Sequence, residues 1–310
     1  MFLLLVLSSS ISYHPYEEKS FISWMHENNI IFTGDEYHFR LGIFLTNLRL
    51  IKEHNSANKK YKIGLNKFSA CTPSEYRSRL QMKEISKIRK APSTSFPDNF
   101  DWRDKGVVNP IRDQGYCYSD YAIFATFLGE SSNAILSGNL LTYSVQNLVD
   151  CATNCYGCDG GYLTDALSYI IKYQDGHFNL ESDYPYTGFG VTCKYDEYEK
   201  YGSLTDTFTV QITNNSDLAS TIVTYGPVGT SIDSLDWTLA MYSGGIYDEH
   251  VCLSYEPRDV GVVGYGTEEN VFYWILRFSF GTAWGEEGYM RMHRSDLCAL
   301  SKSVVVVVVS

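Results

Sequence analysis

The sequence has no apolar run long enough to cross a membrane as a helix, which takes about 20 residues. Met1 to Leu7 is the first apolar run, and it gives way at once to Ser8-Ser9-Ser10. It also lacks the basic residues that open a secretory leader, so residues 1–12 make only a weak signal peptide by themselves. Basic charge is scarce beyond residue 92, where 11 Lys and Arg stand against 28 Asp and Glu, a balance of −17. The first 92 residues carry 14 against 8, a balance of +6, within a net charge of −11. Nothing in this distribution suggests a nucleic-acid binder, and the opposite signs suggest complementary surfaces within one chain. No histidine has ligand spacing to Cys155 and Cys158. A metal site is therefore not expected, and no cofactor is either.

What is present suits a globular protein. A chain of 310 residues allows one large domain or two, with a substantial core. Aromatic residues make up 15%, including 25 tyrosines, which suits binding clefts. Seven of the 8 cysteines lie beyond residue 116. Their pairing is open on sequence alone, but their number points to an oxidising compartment. Between Asp113 and Ala125 the chain reads DQGYCYSDYAIFA, the entrance to a helix. Tyr121, Phe124, Ala125 and Leu128 form one apolar stripe. Ser119 and Asp120 precede it as N-cap candidates, and a helix N-terminus favours their negative charge.

Earlier in the chain, Thr33-Gly34-Asp35-Glu36 reads as a capping box. Leu41, Phe44, Leu45, Leu48 and Ile51 then mark the apolar face of a long helix. Glu36, Arg40, Phe44, Asn47, Ile51 and Asn55 are interwoven with it, followed by Gly64-Leu65-Asn66-Lys67-Phe68. Lys83 to Lys90 and Ala91 to Ser95 read as a basic linker. Phe100-Asp101-Trp102-Arg103, Tyr143 to Cys151, Gly157 to Gly161, Asp183 to Tyr186 and Gly281 to Tyr289 are further motifs in order. Gly226-Pro227-Val228, Tyr242–Tyr247, Val260–Gly266 and Tyr273–Leu276 read as strands and turns. Val304 to Val309 is expected to be a buried terminal strand, because an exposed one would invite aggregation.

These motifs resemble the papain-like cysteine peptidases, in their cathepsin L-like branch, over almost the whole chain. The resemblance implies an α+β fold: a helical lobe and a β-barrel lobe meet at a cleft, preceded by a helical inhibitory propeptide. It divides the chain into a possible signal peptide at 1–12, a propeptide domain at 13–92 and a peptidase domain at 93–310. It selects the disulfides Cys117–Cys158, Cys151–Cys193 and Cys252–Cys298, leaving Cys71 and Cys155 as small thiols. It assigns Gly160, Gly161, Tyr162, Ser231, Asp259 and Trp284 to the substrate cleft, with Asp259 favouring basic ligands. A monomer, secreted or lysosomal/vacuolar, follows from the same resemblance. Asn214 opens the one glycosylation acceptor pattern, Asn214-Asn215-Ser216.

At the catalytic positions the sequence departs from the family. The family's Gln-Gly-x-Cys-Gly-Ser-Cys-Trp supplies its nucleophile from the second cysteine. Here that stretch is Gln114, Gly115, Tyr116, Cys117, Tyr118, Ser119, Asp120 and Tyr121, so Asp120 stands at the nucleophile's place. Arg258, before Asp259-Val260, stands where the histidine is expected, and Phe278 where the asparagine is. Phe280 replaces the shielding tryptophan, and only the oxyanion donor Gln114 is kept. The second propeptide motif also lacks its aspartate, with Ala70 in that place. Arginine is never a base near neutral pH, and phenylalanine cannot orient one. Ser119, Cys117, His250 and an Asp120–Asp259 dyad are poor substitutes, since Arg258 is expected to keep both carboxylates ionised. Asp120 and Arg258 are instead expected to pair across the cleft, a geometry that can be bidentate. The sequence therefore suggests a non-peptidase homologue that binds its own propeptide and peptide, protein or protease-inhibitor ligands. The alternatives are an active endopeptidase with an unrecognised nucleophile, and a structural surface protein with a closed cleft.

Overall fold

A computed structural model of the chain describes residues 15–57, 59–72, 75, 87–233, 237–248, 257–294, 300 and 303–310. Two helices open it, α1 (Pro15–Glu27) and α2 (Gly34–Ser56). Phe21 and Trp24 of α1 meet Leu41, Phe44 and Leu45 of α2 and Ala70 in a small core of their own. This is the face that the apolar spacing predicts. The expected capping box does not form, because the Thr33 side chain makes no capping bond and Glu36 turns to Arg40 at 3.2 Å. At the other end of α2, Asn55 holds both backbone groups of Ile63: it accepts from the N–H at 3.1 Å and donates to the carbonyl at 2.7 Å. That clamp sets strand β1 (Tyr61–Ile63) running away from the helix.

The helical lobe is built on α3 (Asp120–Ser137), α4 (Val145–Cys151) and α5 (Leu163–Tyr173). The stripe of Tyr121, Phe124, Ala125 and Leu128 is buried, but so is every other residue from Asp120 to Ser131. A helix covered on all sides is the axis of a core rather than a surface element. It ends at Gly138, whose φ of 74° gives the left-handed turn that glycine takes without strain. The disulfides Cys117–Cys158 and Cys151–Cys193 tie the loops around it. Cys252 and Cys298, the third expected pair, lie outside the described residues, as does His250.

Ten described strands form one sheet. After β1 come β2 (Ile88–Lys90), β3 (Phe100–Asp101), β4 (Leu204–Gln211), β5 (Val228–Asp233), β6 (Tyr242–Tyr247), β7 (Pro257–Glu268), β8 (Val271–Arg277), β9 (Tyr289–His293) and β10 (Ser303–Val309). Their order is β1-β6-β9-β8-β7-β5-β10-β4-β2, with β3 pairing β7. Helix α6 (Asn215–Tyr225) and the single turn α7 (Trp237–Ala240) complete the lobe. The valine run is an interior strand, paired along its length with β4 and touching β5 at Val305. Val304 to Val307 are buried, which accounts for the uncharged sequence. Both sheet ends come from the first 92 residues. There, Ile51, Tyr61, Ile63 and Phe68 share one core with the β lobe. Full burial of a side chain such as Ile63 or Phe68 is worth roughly 1.5–3 kcal/mol.

Strand β7 crosses the middle of this sheet and carries the site residues, so its fit against β3 matters. A Cβ added at Gly264 would lie 2.3 Å from the Phe100 carbonyl oxygen and 2.9 Å from the Asp101 Cα. Backbone cannot yield as a side chain can. Gly264→Ala should therefore destabilise the fold by about 1–3 kcal/mol, read as a lower midpoint in urea unfolding. An unchanged midpoint would show that β3 is not held against β7.

Candidate functional site

Helix α3 begins at the junction of the lobes, with Asp120 in its first turn. Arg258 and Asp259 are consecutive on β7, so their side chains leave opposite faces of the strand. Arg258 is buried, and its Nη1 lies 3.7 Å from Asp120 Oδ2 and 3.3 Å from Gln114 Oε1. Its guanidinium carbon stands 4.4 Å from the centre of the Phe280 ring. The two expected partners do meet, but through one nitrogen and beyond hydrogen-bond range. Asp120 Oδ1 accepts from the N–H of Tyr121 at 3.1 Å instead. Ser119, expected as a cap, makes no capping bond; its hydroxyl lies 2.6 Å from that of Tyr186.

The remaining positions are also engaged. Gln114 is buried, with Nε2 donating to the Cys117 carbonyl at 3.0 Å and Oε1 accepting from Ser279 Oγ at 2.5 Å. Phe278 is fully covered, 4.4 Å from the Trp284 ring and 5.5 Å from that of Phe280. Trp284 is itself buried. Gly160, with φ of 110°, is open enough for a backbone to approach. Gly161 is held by packing, because a Cβ there would come within 2.9 Å of Cys155 Cβ and 3.0 Å of Tyr121 Cγ. Tyr162 is half-buried at the start of α5. Asn214 is exposed, and it caps α6 by accepting from the N–H of Asp217 at 3.0 Å while its amide nitrogen donates to the Thr213 hydroxyl at 3.2 Å.

Asp259 is only 2% exposed. Its Oδ2 accepts from the N–H of Leu163 at 3.3 Å, at the N-terminus of α5, and Oδ1 has no hydrogen-bond partner. Ser231 faces it in strand register and is also buried. Burial raises the pKa of both carboxyls, but their surroundings differ. Arg258 and the amides of Tyr121, Asp120 and Asp259 pull Asp120 back down. Asp259 is raised well above the usual range, first by burial and then by the charge of Asp120. Burial therefore opposes the expectation that Arg258 keeps both ionised, most strongly at Asp259. Cys155 is buried too, and desolvation pushes its thiol up to about 12, far from a reactive thiolate.

Residues of the leading segment also reach this site. Lys67 pairs with Asp113 beside Gln114, and Phe68 packs edge-on against Phe280 with centroids 4.8 Å apart. Glu75 meets Arg40 at 2.7 Å, taking the part that the missing acid at Ala70 leaves vacant. Its carboxyl is lowered to about 2, chiefly by that hydrogen bond.

The raised pKa of Asp259 makes the stability of this junction depend on pH. A carboxyl whose pKa is raised on folding stabilises the fold while protonated, and stability is lost as pH rises through the folded value. Asp259→Asn keeps the acceptor for Leu163 and cannot ionise. Its unfolding free energy should hold where the wild type's falls on the alkaline side. Parallel curves for the two proteins would show that Asp259 is ionised at neutral pH.

The family model described as papain family cysteine protease matches residues 96–308, and the cathepsin propeptide inhibitor domain (I29) matches residues 21–76. Germination-specific cysteine protease 1 of Arabidopsis thaliana is 38% identical over 293 residues, covering 89% of this chain and 76% of that protein. Cysteine proteinase RD21A of the same plant is 35% identical over 280 residues, covering 86% of this chain and only 60% of its relative. The solved digestive procathepsin L2 proteinase from Tenebrio molitor larval midgut superposes with a TM-score of 0.84 at 29% identity, covering 94% of this chain and 99% of that one. With its two lobes, its leading helices and these matches, the chain belongs to the papain family of cysteine proteases.

Proposed function

We propose that this chain is a non-catalytic member of its family, a binding protein built on a peptidase cleft. The observation that carries the reading is the buried meeting of Asp120 with Arg258 at the head of α3, where the family forms a thiolate and an imidazolium. A carboxylate is a poor nucleophile toward an amide, and a guanidinium keeps its proton. Phe278, in the orienting position, offers no hydrogen bond. Gln114 has its amide nitrogen engaged by Cys117. Substitute nucleophiles are no better placed: Ser119 is buried against Tyr186, Cys117 is in a disulfide, and the Cys155 thiol is buried. Binding would fall to the glycine wall of Gly160 and Gly161 with Tyr162, and its ligands would be peptides or proteins.

Two disulfides among the described residues support secretion or a lysosomal or vacuolar address. No described helix is long and apolar enough to cross a membrane. Within this reading the chain divides as 1–12, 13–92 and 93–310, and Asn214 is its glycosylation site. A working endopeptidase is the second reading, favoured by relatives that are named as proteases.

Fluorogenic peptides and a peptide-epoxide thiol probe, in reducing buffer, separate the two. The purified chain should hydrolyse none of the peptides and take no label. Turnover that co-purifies with the chain, whether or not it survives Asp120→Ala, would overturn the proposal.

A further inference from the structure

The residues that replace the family's catalytic groups form a seat, and what sits in it is the first part of the same chain. We infer that residues 15–72 are a permanent third layer of this protein, which stays bound after the chain is cut and after acidification. The inference shares Arg258 and Phe278 with the non-catalytic reading and adds Phe280, but does not rest on the absence of turnover.

Phe280 is the centre of the seat. Phe68 meets its edge at 4.8 Å, and the Lys67 ammonium and the Arg258 guanidinium lie 5.4 Å and 4.4 Å from its centroid. Phe278 and Trp284 stand behind it, 5.5 Å and 5.2 Å away, so the orienting amide's position has become aromatic packing. The apolar core of the β lobe runs without a break from these rings into Phe68, Ile63, Tyr61 and Ile51.

Backbone pairing extends the grip. β1 adds to β6 through Tyr61↔Gly245, Lys62↔Gly244 and Ile63↔Tyr242, and the Gly64 N–H donates to Met241 at 2.6 Å. Asn66 Nδ2 donates to the Ala240 carbonyl at 2.6 Å. The glycines of β6 permit this approach, since a Cβ at Gly245 would lie 2.6 Å from the Lys60 carbonyl oxygen. Beyond the cut, residues 88–90 of the expected linker form strand β2, parallel to β4 from Ile88↔Thr209 to Lys90↔Gln211, and stay with the remainder. Lys87 and Arg89 reach Asp206 there, at 2.7 Å and 3.4 Å.

Acid acts on few of these contacts. Among the described residues, the carboxylates facing the layer are Asp113 against Lys67 and Asp248 against Lys60. Just after the layer, on its side of the cut, Glu75 holds its charge against Arg40 down to about pH 2. The rings of the aromatic seat, Phe68, Phe278, Phe280 and Trp284, do not ionise, and the titratable group beside the strand pairing is His54 of α2, its ring 4.5 Å from that of Tyr61.

The test places a site-specific protease sequence within residues 76–86 of the full chain, cuts it, and runs gel filtration at neutral pH and at about pH 4. Both pieces should elute together at both values, and Phe68→Asp should separate them. Release of the N-terminal piece at acid pH, from a remainder that keeps its circular dichroism, overturns the inference. So does a Phe68→Asp chain that holds together as well as the wild type. A chain that cleaves peptides yet keeps its layer would sink the non-catalytic reading and leave this one standing.

Discussion

Arg258 enters the space between the lobes from the end of a strand and carries its charge there almost wholly out of water. Removing a guanidinium from solvent costs several kcal/mol unless its surroundings compensate. Three things compensate here: a carboxylate from the head of a helix, a glutamine oxygen, and the face of an aromatic ring. Each belongs to a different segment. The position of α3, the loop at Gln114 and the ring of Phe280 are therefore all answerable to one side chain. Its neighbour Asp259 takes the opposite face of the strand, where burial and the charge of Asp120 both raise its pKa.

The same junction explains why polar chemistry and apolar packing can trade places in one fold. An imidazole and its orienting amide need hydrogen bonds and access to water. A guanidinium stacked on phenylalanine, with a second phenylalanine behind it, needs no access to water once Gln114 and Asp120 face it. The lobes are then joined by a buried surface where a reactive cleft would keep them apart at the centre.

Much of this was legible in the residues. The long N-terminal helix, the helix at Asp120 and the valine strand follow from periodicity and from the cost of exposing apolar runs. The positions of Asp120, Arg258 and Phe278 followed from motif spacing. Other features depend on distance in space rather than in sequence. Glu75 reaches Arg40 across 35 residues, and no local pattern marks it. The raised pKa of Asp259 depends on burial, which a strand sequence does not state. Thr33 and Ser119 have the right chemistry to cap a helix, yet Glu36 turns to Arg40 and the Ser119 hydroxyl lies against Tyr186. Lys83 to Lys90 read as linker because three strand residues without alternating burial leave no periodic trace.

The interior place of β10 bears on how the chain comes off the ribosome. Residues 303–309 are made about a hundred residues after the strand β4 that they cover. Until they emerge, β4 and β5 have no neighbour between them, and the sheet cannot close. The β lobe must therefore be completed late, with slow, long-range pairing of the kind that exposes nascent chains to aggregation. The N-terminal helices carry a small core of their own and are made first. They are in place as a waiting surface, already folded, when β6 arrives to receive β1.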